Sequence, residues 1–178
     1  MDFLKELGVR FRQASPRVDE SPLSGERPRP YVRRVALEKA RAVSQRLPSD
    51  WILAGDTIVV LDGAILGKPK NDREARGMLR SLSGRSHEVL SSLALVCQTA
   101  CQELSRVSMT RVQLRELEPS EIRWYVRTGE PSDKAGGYAI QGKGGLFVRK
   151  IVGSPSNVAG FPVEAFYDLI RKAGLRVF

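Results

Sequence analysis

With 178 residues, 42% of them hydrophobic, the chain is long enough for one substantial core, a single domain pinched into two lobes. No apolar run approaches the roughly 20 residues that cross a bilayer, and Met1 to Arg10 alternates charge with apolar residues, unlike a signal peptide, so a cytoplasmic, non-membrane protein is expected. The formal net charge of +9 asks for an anionic partner, yet there is no basic tail, zinc finger or aromatic RNA-binding strand to favour nucleic acid over a nucleotide.

Phe3, Leu4 and Leu7 followed by Gly8 predict the last turns of a helix with a glycine stop. Val9–Ala14 alternates polar and apolar residues, which predicts a short strand, and a Pro/Ser/Gly-rich loop follows from Ser15 to Pro30. Pro30 suits a first helical turn, and Val32, Val35, Ala36, Ala40, Val43 and Leu47 form that helix's apolar stripe. Trp51–Leu61 is rich in β-formers, and Asp62-Gly63 is a strong hairpin turn returning through Ala64–Leu66. Asp72 is expected to cap a helix reaching Leu82, with Ala75, Met78, Leu79 and Leu82 inward. His87–Val96 and Glu103–Leu114 predict two long antiparallel strands joined near Cys101. A helix is expected from Pro119 to Val126, a glycine-rich strand and loop over Gly136–Gly145, a strand over Leu146–Val152 and a closing helix over Val163–Ala173, stopped by Gly174. The sum is a mixed α/β fold without repeats or linkers.

Four segments stand out against this scaffold. Asp19-Glu20 places acids in a loop of prolines and serines, and Lys39 sits on the long helix. Asp56-Thr57 puts a carboxylate into a strand otherwise made of Trp, Ile, Leu and Val, and Lys68 ends the paired strand between Gly67 and Pro69. The hairpin folds Asp56 and Lys68 toward one end, and a carboxylate beside an ammonium with glycines for close approach suits a metal–polyphosphate site. Taken singly each has an ordinary reading: a solvated acidic pair, a surface lysine, a strand-terminating aspartate, an edge-blunting lysine. His87, the one histidine, reads as a structural strand-end residue, and Cys97 and Cys101 as reduced thiols without partners for a zinc site.

The run GDTIVVLDGAILGKPKNDREARGMLRSLSGRSHEV, with RRVALEKARAV before it and GEPSDKAGGYAIQGKGGLFVRKIVGS and NVAGFPVE after it, resembles the Maf family of nucleotide pyrophosphatases over almost the whole chain. The resemblance implies an elongated α/β fold with flanking helices and a central cleft, similar to the inosine triphosphatases. It implies that Asp56 is the catalytic general base, that Glu20 with Asp56 serves a divalent cation (Mg2+ or Mn2+), and that Lys39 and Lys68 hold the triphosphate. Thr57 after Asp56, and Gln141 within Ile140-Gln141-Gly142, look like the dTTP/UTP branch rather than the 7-methyl-GTP branch, which has Asp-Gln and Ser-Glu-Gly there. The amide of Gln141 has the donors and acceptors to pair with a pyrimidine edge. The implied partner is a pyrimidine nucleoside triphosphate, split into monophosphate and pyrophosphate, and a homodimer is left open. The alternatives are a basic nucleic-acid-binding or cell-division (septum formation) regulator and a catalytically impaired paralogue.

One departure accompanies the match. The family opens with a strand and Ser-Pro-Arg-Arg ahead of a helix ending Leu-Gly, and here Leu7-Gly8 already ends that helix. Ala14-Ser15-Pro16-Arg17 fits the family's later Ser-Pro-x-Val-Asp-Glu loop instead, so the first strand and its phosphate-binding serine and arginine are expected to be missing before Met1.

Overall fold

A computed structural model describes residues 2–176. Along the chain run α1 (Asp2–Glu6), α2 (Pro28–Ser44), β1 (Ile52–Leu61), β2 (Ala64–Leu66), α3 (Asp72–Leu82), β3 (Ser86–Cys97), β4 (Gln102–Leu114), α4 (Pro119–Arg127), β5 (Val148–Val152), α5 (Pro155–Val158) and α6 (Val163–Lys172). The strands form one open sheet in the order β2-β1-β3-β4-β5. The β1–β2 hairpin pairs Val59 with Leu66 and Leu61 with Ala64 across the turn at Asp62-Gly63, where both residues adopt positive φ. At its far edge β5 pairs antiparallel with β4, Arg111 opposite Val152. No helix of the described residues is long and apolar enough to cross a membrane.

The chain folds as two compact units, and the long strands supply residues to both. One unit takes the chain as far as Asp56, Ser91–Ser108, and the chain from Gly160 onward. In it α6 lays Ala165, Phe166, Leu169 and Ile170 on Leu93 and Leu95, while α2 packs Ala36 and Ala40 on Ala94 and Val96. The small alanines let the helix backbone approach β3 closely. The second unit takes Thr57–Leu90 and Met109–Ala159. Its core joins Leu79 and Leu82 of α3 to Ile122, Tyr125 and Val126 of α4, over Val59, Val89, Val112 and Leu114 of the strands. Each such side chain contributes roughly 1.5–3 kcal/mol by leaving water.

Several expectations are corrected. Among the described residues Val9–Ala14 is no strand. Val9 instead closes α1, its N–H donating to the Leu4 carbonyl after Gly8 turns left-handed at φ 70°. Alternation over six residues cannot form a strand without a neighbour to pair with. The cap of α3 is Asn71 rather than Asp72; its side chain accepts the Glu74 N–H at 3.0 Å. Helix α2 begins at Pro28, before the expected end of the loop but with Pro30 in its first turn, and ends at Ser44, which leaves Leu47 in the turn beyond. Gly136–Gly145 holds no strand but two short 3-10 turns, because glycines at positive φ break the ladder, and β5 starts only at Val148.

Candidate active site

The acids and the lysine singled out in the sequence meet in the first unit. Lys39 projects from the second half of α2 and donates to Asp56 Oδ1 at 2.8 Å. The same Nζ lies 2.8 Å from Glu20 Oε2. One ammonium thus ties together two carboxylates that are 17 and 19 residues away along the chain. Asp56 reaches this position because β1 runs against β3: a Cβ on Gly55 would stand 3.2 Å from the Ser92 carbonyl oxygen and 3.0 Å from Leu93 Cδ2. Glycine just before the aspartate keeps that approach open.

Glu20 is placed by α2 as well. The Tyr31 hydroxyl donates to the Glu20 carbonyl at 2.6 Å, and the Arg34 guanidinium donates to the Ser21 carbonyl and to both Glu26 oxygens. Tyr31, Arg34 and Glu38 stand at helical spacing on one face of α2, with Arg34 and Glu38 paired at 3.0 Å. Tyr31 and Arg34 were absent from the sequence-based site. The signal available was an aromatic and an arginine three apart on the helix that carries Lys39.

The exposures divide the roles. Lys39 and Asp56 are 13% and 11% exposed, and Glu20 is 49% exposed. Burial pulls the Lys39 ammonium toward its neutral form, and the hydrogen bonds to Asp56 and Glu20 more than offset it, so its pKa rises above the ordinary lysine value. Burial, then the negative charges of Asp56 and Glu20, push the Tyr31 phenol upward too. The cluster therefore sets one ammonium between two carboxylate groups, with Glu20 the partner most open to a ligand. Two carboxylates at one point fit a hard divalent cation that completes its shell with phosphate oxygens and water.

The remaining sequence-predicted residues lie in the second unit. Thr57 follows Asp56 in β1, and Lys68 lies two residues beyond Leu66, the end of β2, which pairs with Val59. The Gly67 carbonyl accepts the Gly136 N–H at 3.0 Å, which holds the exposed Lys68 beside the 3-10 turns; Asp133, held below the usual carboxylate range first by Lys134, feels Lys68 as well. Gln141 is exposed on the turn that follows. His87 is buried, its Nε2 2.7 Å from the Tyr138 hydroxyl, in a structural contact. Cys97 is buried at the end of β3, and Cys101 is exposed in the β3–β4 turn.

A protein-family model described as Maf-like protein matches residues 1–173. The chain belongs to that family. A relative named dTTP/UTP pyrophosphatase from Myxococcus xanthus is 45% identical over 174 residues, covering 98% of this chain and 87% of the relative. The relative of the same name from Anaeromyxobacter dehalogenans is 49% identical over 97% of this chain and 88% of its own length. That from Symbiobacterium thermophilum is 44% identical over 99% of this chain and 90% of its own. The Maf resemblance read from the motifs is thereby established, and the Lys39 cluster lies wholly within the matched residues.

Proposed function

We propose that this Maf-family chain hydrolyses dTTP and UTP to the nucleoside monophosphate and pyrophosphate. The observation that carries the reading is the ammonium of Lys39 bound to both Asp56 and Glu20, in a chain whose relatives across nearly its full length are named for that reaction. A divalent cation, magnesium or manganese, would be held by Glu20 and Asp56 and would withdraw charge from the phosphates.

Lys39 binds the triphosphate, and in turning toward it loosens its hold on Asp56. The Asp56 carboxylate is then able to take a proton from a water molecule. The water oxygen bonds to the α-phosphorus, the bond from that phosphorus to the α–β bridging oxygen breaks, and pyrophosphate leaves with the bonding electrons. Lys68 supplies a second positive charge to the triphosphate, and Thr57 and Gln141 recognise the pyrimidine. The same reading places the protein in the cytoplasm, among its substrates.

The test is product analysis over a panel of nucleoside triphosphates with magnesium or manganese. Monophosphate and pyrophosphate, made fastest from dTTP and UTP, are expected. Release of inorganic phosphate with a diphosphate would overturn the assignment.

A further inference from the structure

In the second unit a carboxylate outside the sequence-predicted site organises the turn that carries Gln141. Helix α4 ends at Arg127; beyond it Gly129 turns left-handed at φ 76°, and Glu130 opens the 3-10 turn that follows. Its Oε1 accepts the Tyr125 hydroxyl at 2.9 Å and the Gly144 N–H at 3.0 Å, and its Oε2 accepts the Lys143 N–H at 3.1 Å. The Tyr125 oxygen in turn accepts the Ala139 N–H at 3.1 Å. Three backbone donors from 139–144 therefore end on this one pair of side chains, flanking Gln141 on both sides. Tyr125 is itself fixed, fully buried and edge-on to Phe147 at 5.0 Å.

The glycines show how tightly the turn wraps that carboxylate. A Cβ on Gly142, at φ 152°, would lie 2.8 Å from Glu130 Oε1. One on Gly144 would lie 2.6 Å from both the Tyr125 hydroxyl and the Ala139 carbonyl oxygen, and one on Gly145 would lie 2.7 Å from the Ile140 carbonyl oxygen. Burial pushes the Glu130 carboxyl up, and the N–H groups of Gly144 and Lys143 with the Tyr125 hydroxyl outweigh it, so the group is ionised at neutral pH. A surface glutamate paired with a lysine would leave the backbone alone; this one spends both oxygens on it.

We propose that Glu130, seated on Tyr125, is a positioning residue for base recognition: its carboxylate fixes the Ile140–Lys143 turn so that the exposed amide of Gln141 meets the pyrimidine edge. The inference rests on the reading of Gln141 as the base-recognising residue. UTP and CTP differ at the edge that an amide reads, a carbonyl and N–H in one and an amino group and bare nitrogen in the other. Discrimination between them is therefore the quantity that the turn controls.

The experiment compares kcat/KM for UTP and CTP in the parent, Glu130→Gln, Gln141→Ala and the double variant. Glu130→Gln keeps the size but turns one oxygen into a donor facing a backbone N–H. It is expected to lower the UTP-to-CTP ratio about tenfold, mostly through KM for UTP, the scale of one misplaced hydrogen bond. In the Gln141→Ala background the same change should move the ratio less than twofold. If Glu130→Gln lowers kcat/KM for UTP and CTP equally, its role is only structural and the proposal fails. If Gln141→Ala itself leaves the ratio unchanged, the base-reading assignment fails, and this inference with it. Should Glu130→Gln not fold, Gly142→Ala strains the same contact from the loop side and is held to the same ratio.

Discussion

Replacing Lys39 with methionine removes the ammonium that joins Asp56 to Glu20 while keeping most of the side-chain volume. Two terms set the cost. The Asp56 pair is nearly enclosed, 13% and 11% exposed, and breaking such a pair by removing one partner costs about 3–5 kcal/mol for full burial. The Glu20 pair is half exposed on the acid side and adds at most a few tenths to about 1 kcal/mol. Because Asp56 keeps some contact with water, we expect a net loss of about 2–4 kcal/mol. For a chain of this size that lowers Tm by roughly 5–15 °C in a metal-free melt followed by circular dichroism. Most of the loss falls on the Asp56 charge that Lys39 balances, so adding Asp56→Asn to Lys39→Met should restore more than half of it, a coupling that a double-mutant cycle reads directly. Magnesium should raise the Tm of Lys39→Met more than that of the parent, since the cation replaces the missing positive charge. A Lys39→Met protein melting within about 1 °C of the parent, or one made still less stable by Asp56→Asn, would refute this account of the cluster.

Asp56→Asn should cut pyrophosphate release by two to four orders of magnitude in steady-state assays with the secondary structure intact, because the base is lost and the shape kept. Lys68→Ala should raise the barrier by roughly 2–4 kcal/mol, read as a fall in kcat/KM for dTTP, with little change in Tm because the side chain is exposed. Tyr31→Phe removes the hydroxyl that holds the Glu20 carbonyl, and should raise KM for the divalent cation several-fold in a magnesium titration of activity. His87, pushed by burial from 6.5 down to about 4, stays neutral in the folded chain while the unfolded chain takes up a proton. Stability is therefore unaffected above about pH 7, falls as pH drops below 6.5, and levels off near pH 4 after a loss of about 3 kcal/mol. Melts at pH 7 and pH 5 should differ more in the parent than in His87→Gln.

What the sequence made legible, and what it hid, follows from where each residue's partner comes from. Asp56 was conspicuous because a carboxylate interrupts an apolar run of Ile, Leu and Val, and the Lys39 bridge now supplies a partner for it. The long strands and the Asp62-Gly63 hairpin were equally legible, since both period and turn chemistry are local. Val9–Ala14 misled because alternation is necessary for a strand but does not provide a neighbouring strand. Asn71 was passed over for Asp72 because both are good caps and only backbone angles decide between adjacent candidates. Glu130 was hidden for a different reason. Its partners are backbone N–H groups 13 and 14 residues away, and a backbone group has no letter in the sequence. The trace it does leave is indirect: glycines at 142, 144 and 145, each needed because a side chain there would collide with Glu130, Tyr125 or the turn's own carbonyls. A cluster of glycines beside an exposed amide therefore marks a turn built around something, and of the two carboxylates just upstream it is Glu130, not the lysine-paired Asp133, that the turn wraps.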